Sequence, residues 1–234
     1  MKRSFDPAVP ELMDRPQPVS DELKRDLGNL RQLNRFFGSY SLVRRFLRHW
    51  IKPGEHLRVL DLATGSGDIP RLAVDHARSL PATVKVDAID QQASTLEIAR
   101  QLSSQYPEIS FHLANAMEWQ PDEPYDIVHC SLALHHFSEA DAVRLLQRCR
   151  ELSRKFVLVS DLRRGLLASV GVYLLTATIF REPMTRSDGR ASAARAFSFA
   201  ELRDLAHRAG WQNFGHRKFR FARQAIWLKE PGHD

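Results

Sequence analysis

Apolar residues along the chain recur first at helical steps and then in short runs. From Ser20 onward, Leu23, Leu27, Leu30 and Leu33 fall three or four residues apart, one stripe of a helix. Gly38 and Ser39 interrupt it, and Tyr40 to Ile51 predicts a second helix that stops at the turn "KPGEH". Beyond that turn, apolar runs alternate with amphipathic stretches. "LRVLDLA" (57–63), "TVKVDAID" (83–90), "ISFHLAN" (109–115), "YDIVHCSLAL" (125–134) and "KFVLVSDL" (155–162) read as buried strands. Helical spacing follows the first, second and fourth of these, in "DIPRLAVDHARSL", "STLEIARQLSS" and "SEADAVRLLQRCREL". Ser94 with Glu97, Ser138 with Asp141, and Ser198 with Glu201 stand at the interval of a helix-capping box. Gly210 ends the helix "SFAELRDLAHRAG", and "GHRKFRF" and "RQAIWLK" follow as strands.

Strands that alternate with helices predict an α/β fold with a doubly wound, mostly parallel, seven-stranded sheet. Ligands bind such sheets beyond the carboxyl ends of the strands, so chemistry is expected in the segments after each strand. Residues 1–19 hold four prolines and little periodicity, and read as an extended arm. Residues 20–53 form a helical cap, and 54–234 the ligand-binding domain, with a lid insert at about 163–197. Within that insert, "GLLASVGVYLLTATIF" (165–180) is apolar throughout. As a helix it reaches roughly 24 Å, short of the about 30 Å of a bilayer core. It predicts a buried or lid-like helix and no transmembrane span, with weak membrane-surface association left open.

The 234 residues carry a net charge of +6, which leaves acidic partners open without requiring them. The two cysteines, Cys130 and Cys149, are not spaced for thiolate metal binding. The amino terminus has no apolar signal segment, so a cytoplasmic setting is expected.

The turn after the first strand, "LDLATGSGDIP" (60–70), narrows the ligand. Gly65 and Gly67 permit a tight turn and close backbone approach. A P-loop needs a lysine that is missing, and a dinucleotide fold wants a third glycine where Pro70 stands. Asp61 would repel a pyrophosphate but suits a ligand with positive charge. Asp61 thus favours a nucleoside without a pyrophosphate, with an NAD-dependent oxidoreductase disfavoured but open.

"VLDLATGSGDIP" resembles motif I of class I S-adenosylmethionine (SAM)-dependent methyltransferases, a Rossmann-like family. "VDAIDQQASTLEIAR" resembles its motif II, and "YDIVHCSLALHHF" motif IV of its small-molecule branch. The lid segment is loosely similar to that of quinone-biosynthesis methylases. The resemblance implies SAM as cofactor and S-adenosylhomocysteine as product. It implies cofactor contacts at Asp61, Ala63, Thr64, Gly65, Ser66, Gly67, Asp90, Gln91, Asn115, Ala116 and Ser131. Asp90 would accept both ribose hydroxyls. Asn115 stands where the family often has Asp, and an amide can accept from the adenine amino group as well as donate.

The acceptor side is read from chemistry. His135 and His136 lie beyond the fourth strand, where a methyl acceptor must stand in line with the sulfonium. His135 is the candidate general base, with Asp161 after the fifth strand to orient it. The pair otherwise packs and caps the following loop. Adjacent side chains in an extended segment point to opposite sides, so His136 is expected to contact substrate from elsewhere. Phe37, Tyr40 and Tyr173 join it as substrate residues, and their apolar company suggests a small lipophilic or aromatic acceptor, methylated on oxygen or carbon. No carboxylate trio has metal spacing, so no metal is expected. No Asn-Pro-Pro-Tyr string follows the fourth strand, which disfavours nucleic acid as substrate. A monomer and a homodimer are both open. The alternative from another class is a non-catalytic SAM-binding or partner-binding module on the same fold.

Overall fold

The computed structural model describes residues 2–165, 170–173 and 182–229. Helices α1 (Asp21–Phe36) and α2 (Ser39–Trp50) precede β1 (His56–Leu62), α3 (Asp68–Arg78), β2 (Thr83–Asp90), α4 (Ala93–Leu102), β3 (Ile109–Leu113) and β4 (Tyr125–Ser131). Then come α5 (Glu139–Glu151), β5 (Ser153–Leu162), α6 (Pro183–Arg195), α7 (Phe199–Arg208), β6 (Gly215–Phe219) and β7 (Arg223–Lys229). The seven strands make one sheet in the order β3-β2-β1-β4-β5-β7-β6. Its five leftmost strands pair in parallel, and β7 runs antiparallel to both β5 and β6.

Two apolar layers cover the sheet. Leu145, Leu146 and Cys149 of α5, Leu202 and Leu205 of α7, and Trp211 fill one face. Leu42, Phe46 and Leu47 of α2 with Ile69, Leu72 and Val74 of α3 fill the other. Trp211 is fully enclosed and its indole N–H donates to the Leu146 carbonyl at 3.1 Å, so its polar atom is satisfied inside the core. A smaller cluster of Leu23, Leu27, Ile98 and Met184 joins α1, α4 and α6. β1 and β4 are the central pair, and their carboxyl ends open at the middle of the sheet, where chain order reverses between β1 and β4.

Local chemistry sets most helix starts as expected. Ser20 caps α1 by accepting from Leu23 N–H, Ser138 caps α5, and Ser198 with Glu201 closes a full capping box on α7. The box expected at Ser94 and Glu97 does not form. Helix α4 starts at Ala93, which places Ser94 inside its buried first turn, and the Gln92 N–H is taken by Asp90 Oδ1 at 3.0 Å.

Two further differences bear on the site. The part of the lid insert after the apolar stretch forms helix α6, with Pro183 in its first turn where a missing N–H costs nothing. Its buried residues include Thr185, Asp188 and Arg195, a polar face that an apolar periodicity does not reveal. The arm is also not a loose extension. The Arg3 guanidinium lies 3.8 Å over the Phe197 ring and donates to the carbonyls of Arg195 and Phe137, at 2.6 and 2.7 Å. The N–H groups of Leu12 and Met13, in a short 3-10 turn over Leu12–Asp14, donate to Asp188 at 2.8 and 2.9 Å. Of the apolar stretch 165–180, Gly165 and residues 170–173 are described, the latter helical; the rest lies outside the described residues. No helix among the described residues is long and apolar enough to cross a membrane.

Candidate active site

The β1–α3 turn is built by three left-handed residues in five positions: Ala63 (φ 54°), Gly65 (φ 55°) and Gly67 (φ 71°). Thr64 N–H donates to the Ile89 carbonyl of β2, and Gly67 N–H returns to the Thr64 carbonyl. Asp90, at the end of β2, accepts the Gly65 N–H at 2.9 Å on Oδ2 and the Gln92 N–H on Oδ1. The Gln91 N–H bears on the same carboxylate. Burial pushes the Asp90 carboxyl upward in pKa, against the pull of these backbone donors. Gly67 is pinned between φ and space, because a Cβ there would lie 2.9 Å from the Phe111 ring of β3. The cap helices brace the same turn from outside, as Asn34 of α1 and Tyr40 of α2 both donate to Asp68 Oδ2, at 3.0 and 2.9 Å.

Past β4 the chain makes a 3-10 turn over Leu134–His136 and carries both histidines to one side, with ring centroids 4.3 Å apart. This corrects the expectation of opposite directions: period 2 holds in a strand, and the strand stops at Ser131. Asp161, at the end of β5, accepts from the His135 backbone N–H (2.9 Å), from Leu162 N–H (2.6 Å) and from His135 Nδ1 (2.6 Å). With Nδ1–H held by a carboxylate, the imidazole keeps its lone pair on Nε2. His136 Nδ1 is bound in the same way by Asp14 of the arm, at 2.7 Å. Burial opposes a charge on His136, but Asp14, Glu11 and Asp161 outweigh it and raise its pKa to about 9.

One cavity of about 900 Å³ runs from the β1–α3 turn to the histidines. Its lining carries both signs of charge. Glu11, Asp14, Asp26 and Asp188 come from the arm, α1 and α6. Burial raises the carboxyl of Asp26, and lifts that of Asp188 to about 6. Arg31 of α1 and Arg163, Arg220 and Arg223 line it as well, with Phe37 and Phe221. Arg223 is enclosed and burial lowers its pKa to about 10, while Asp161 works to raise it.

Residues 59–155 match the family described as a methyltransferase domain. A 2-phytyl-1,4-naphtoquinone methyltransferase of Thermosynechococcus vestitus is 29% identical over 109 residues, 47% of this chain and 44% of that relative. The chain spans less than half the length of that curated relative. Human N-acetylserotonin methyltransferase, solved with SAM, shares the fold at TM-score 0.63 and 15% identity, over 89% of this chain and 55% of its own. The magnesium protoporphyrin IX methyltransferase of Synechocystis, solved with S-adenosylhomocysteine, does so at TM-score 0.56 and 18% identity, over 92% and 90%. The fold of the chain is therefore the Rossmann-like class I methyltransferase fold.

The cavity gathers most of the residues read from sequence. Asp61, Ala63, Thr64, Gly65, Ser66, Asp90, Gln91, Asn115, Ala116 and Ser131 line the cavity, as do Phe37, His135 and His136. Gly67 stands behind the turn against Phe111. Asp61 is buried beneath the turn, with Oδ1 2.6 Å from His129 Nδ1 of β4. Asn115 already uses its side chain locally, accepting from Met117 N–H and donating to Glu118, both at 3.0 Å. Two of the expected substrate residues lie off the cavity lining. Tyr40 is turned to Asp68 and is not among the described lining residues. Tyr173 is 56% exposed beneath the Arg190 guanidinium, while Gly171 and Val172 of the same turn face the cavity. The acidic wall was not read from sequence. Glu11 and Asp14 sit in a proline-rich arm whose only hint is a pair of acids three residues apart.

Proposed function

We propose that this protein transfers the methyl group of SAM to a small lipophilic or aromatic acceptor, on oxygen or carbon. The observation that carries the reading is the single cavity joining the glycine turn and Asp90 to the His135–Asp161 pair. The residues fit the cofactor. Asp90 lines the cavity with a carboxylate able to accept from ribose hydroxyls, and at Gly65, where an added Cβ would meet nothing within 4 Å, the turn is open to a ligand's close approach. SAM supplies an electrophilic methyl on a sulfonium, and the quinone methylase likeness favours a ring acceptor.

The chain's own groups then do three things. The turn and Asp90 fix the nucleoside end, so that alignment is set before reaction. His135 Nε2 accepts the acceptor's proton, because Asp161 holds the tautomer that frees it and stabilises the imidazolium that results. The apolar residues Leu27, Leu30, Phe37 and Phe221 exclude water from the acceptor's body. Both cysteines are buried free thiols, which fits a reducing compartment such as the cytoplasm.

The test is a melting curve with S-adenosylhomocysteine and with NAD, then labelled methyl transfer to a panel of phenols and quinols. Binding of S-adenosylhomocysteine raises Tm by mass action, and His135→Ala lowers turnover by roughly 10²–10⁴ with the Tm shift intact. A shift with NAD alone overturns the cofactor reading. Full turnover in His135→Ala overturns the base.

A further inference from the structure

We infer that Glu11, His135 and His136 form a binding site for a divalent transition cation of the zinc class, and that its occupancy silences methyl transfer. One ligand atom from each of the three lies within 4.8 Å of the others. Glu11 comes from the arm and the histidines from the turn after β4, so sequence spacing, which predicts no metal, could not bring them together.

The arrangement is more than three polar groups in proximity. Both imidazoles are held by a carboxylate on Nδ1, His135 by Asp161 and His136 by Asp14. That is the outer-shell pattern that fixes a metal-binding histidine's tautomer and aims its other nitrogen. Nε2 of each ring is then the ligand atom, and His136 gives up its Nε2 proton to solvent when the cation takes its place. Glu11 presents Oε2 to His136 Nε2 at 3.9 Å, while Ser192 Oγ donates to both Glu11 oxygens and Arg195 Nη1 stands 3.5 Å from Oε1. The cation would thus sit on the Oε2 side, away from Arg195. Metal bonds of about 2.0–2.1 Å require the ligand atoms to close by about an ångström, within reach of side-chain rotation. Two histidines and one carboxylate leave coordination positions open toward the cavity. The electrostatics agree. Glu11, Asp14 and Asp161 surround the point with three carboxylates, and Asp188 lies beyond them, against the guanidinium groups of Arg195 and Arg3.

The functional consequence rests on the base reading above. A cation on His135 Nε2 occupies the lone pair that would take the acceptor's proton, so the metal-loaded protein cannot use it.

The experiment titrates chelator-treated full-length protein with Co²⁺, read by its visible ligand-field bands, and with Zn²⁺, read by calorimetry. The expected result is one equivalent bound, with a Tm increase. Glu11→Gln and His136→Gln abolish the bands, and Asp14→Asn, which touches no metal, weakens affinity roughly 10–100-fold as loss of an outer-shell partner does. Equal binding by wild type and all three variants, or none by wild type, overturns the site. These readouts use no acceptor and no SAM, so they stand apart from the fate of the methyltransferase reading. In a transfer assay, Zn²⁺ lowers the rate and EDTA restores it; a rate that rises with Zn²⁺ overturns the silencing.

Discussion

Gly65 and Gly67 share a left-handed backbone but not a neighbourhood, and replacing each by alanine separates strain from crowding. At Gly65 (φ 55°) an added Cβ meets nothing within 4 Å. Only the left-handed conformation is then charged against alanine, about 1–2 kcal/mol. At Gly67 (φ 71°) the same strain applies, and the Cβ would also lie 2.9 Å from Cε1 and Cζ of Phe111 and 3.3 Å from Arg71 Nη1. Carbon atoms prefer about 3.5–4.0 Å, and overpacking of this kind costs about 1–3 kcal/mol. Gly67→Ala should therefore cost about 2–5 kcal/mol in all. For a chain of this size each kcal/mol moves Tm by roughly 2–4 °C. The assay is paired thermal and urea unfolding of both variants, then of Gly67→Ala in a Phe111→Ala background. Removing the ring should bring the cost of Gly67→Ala down to that of Gly65→Ala. Equal losses in the two single variants, or an unchanged cost without the Phe111 ring, would refute the crowding argument.

Asp90→Ala should weaken S-adenosylhomocysteine binding by about 1.5–3 kcal/mol, the worth of charge-assisted hydrogen bonds, which calorimetry reads as a tenfold or larger rise in Kd. Asp161→Asn should lower turnover on the order of 10²–10⁴ while Tm with S-adenosylhomocysteine still rises, since His135 then loses the partner that fixes its tautomer; unchanged turnover would argue that the pair is structural. His136, with its pKa raised from 6.5 to about 9, contributes stability that is complete below pH 6.5 and lost as pH rises through 9. The contribution is on the order of 3 kcal/mol, and in chelated buffer His136→Asn should flatten the decline in Tm between pH 6.5 and pH 9.5.

How the fold could be read from sequence follows from where each element finds its partners. Strands β1, β4 and β5 are buried along most of their length because helices cover the sheet on both sides, while β2 alternates buried Val84, Val86 and Ala88 with Lys85 and Asp87, and both patterns are visible in a short window. Helices α5 and α7 advertise themselves twice, by an apolar stripe and by a Ser cap with an acid three residues on. Helix α6 advertises neither. Its buried residues mix Met184 and Ala193 with Thr185, Asp188 and Arg195, whose partners lie in the arm and α1 rather than in the sheet. A pattern search for apolar periodicity has nothing to find there.

The same distinction divides the site. Its cofactor half hangs on consecutive residues of one turn plus the last residue of the adjacent strand, so "ATGSG" and Asp90 reveal it together. Its acceptor half is assembled across the whole chain. His135 finds Asp161 because β4 and β5 are neighbours in the sheet, which parallel order makes foreseeable. His136 finds Asp14, and Glu11 finds Ser192 and Arg195, only because the arm folds back over the carboxyl end of the sheet. Proline-rich composition predicts that such a segment lacks helix or strand; it says nothing about where the segment lies. The arm reaches its place through polar contacts, Arg3 to the carbonyls of Arg195 and Phe137 and Asp188 to two backbone N–H groups, and through Leu12, Met13 and Val19 packed against the cluster of Leu23, Leu27, Ile98 and Met184. Every one of these partners is distant in sequence or belongs to another element, so no local pattern in the arm announces where it docks.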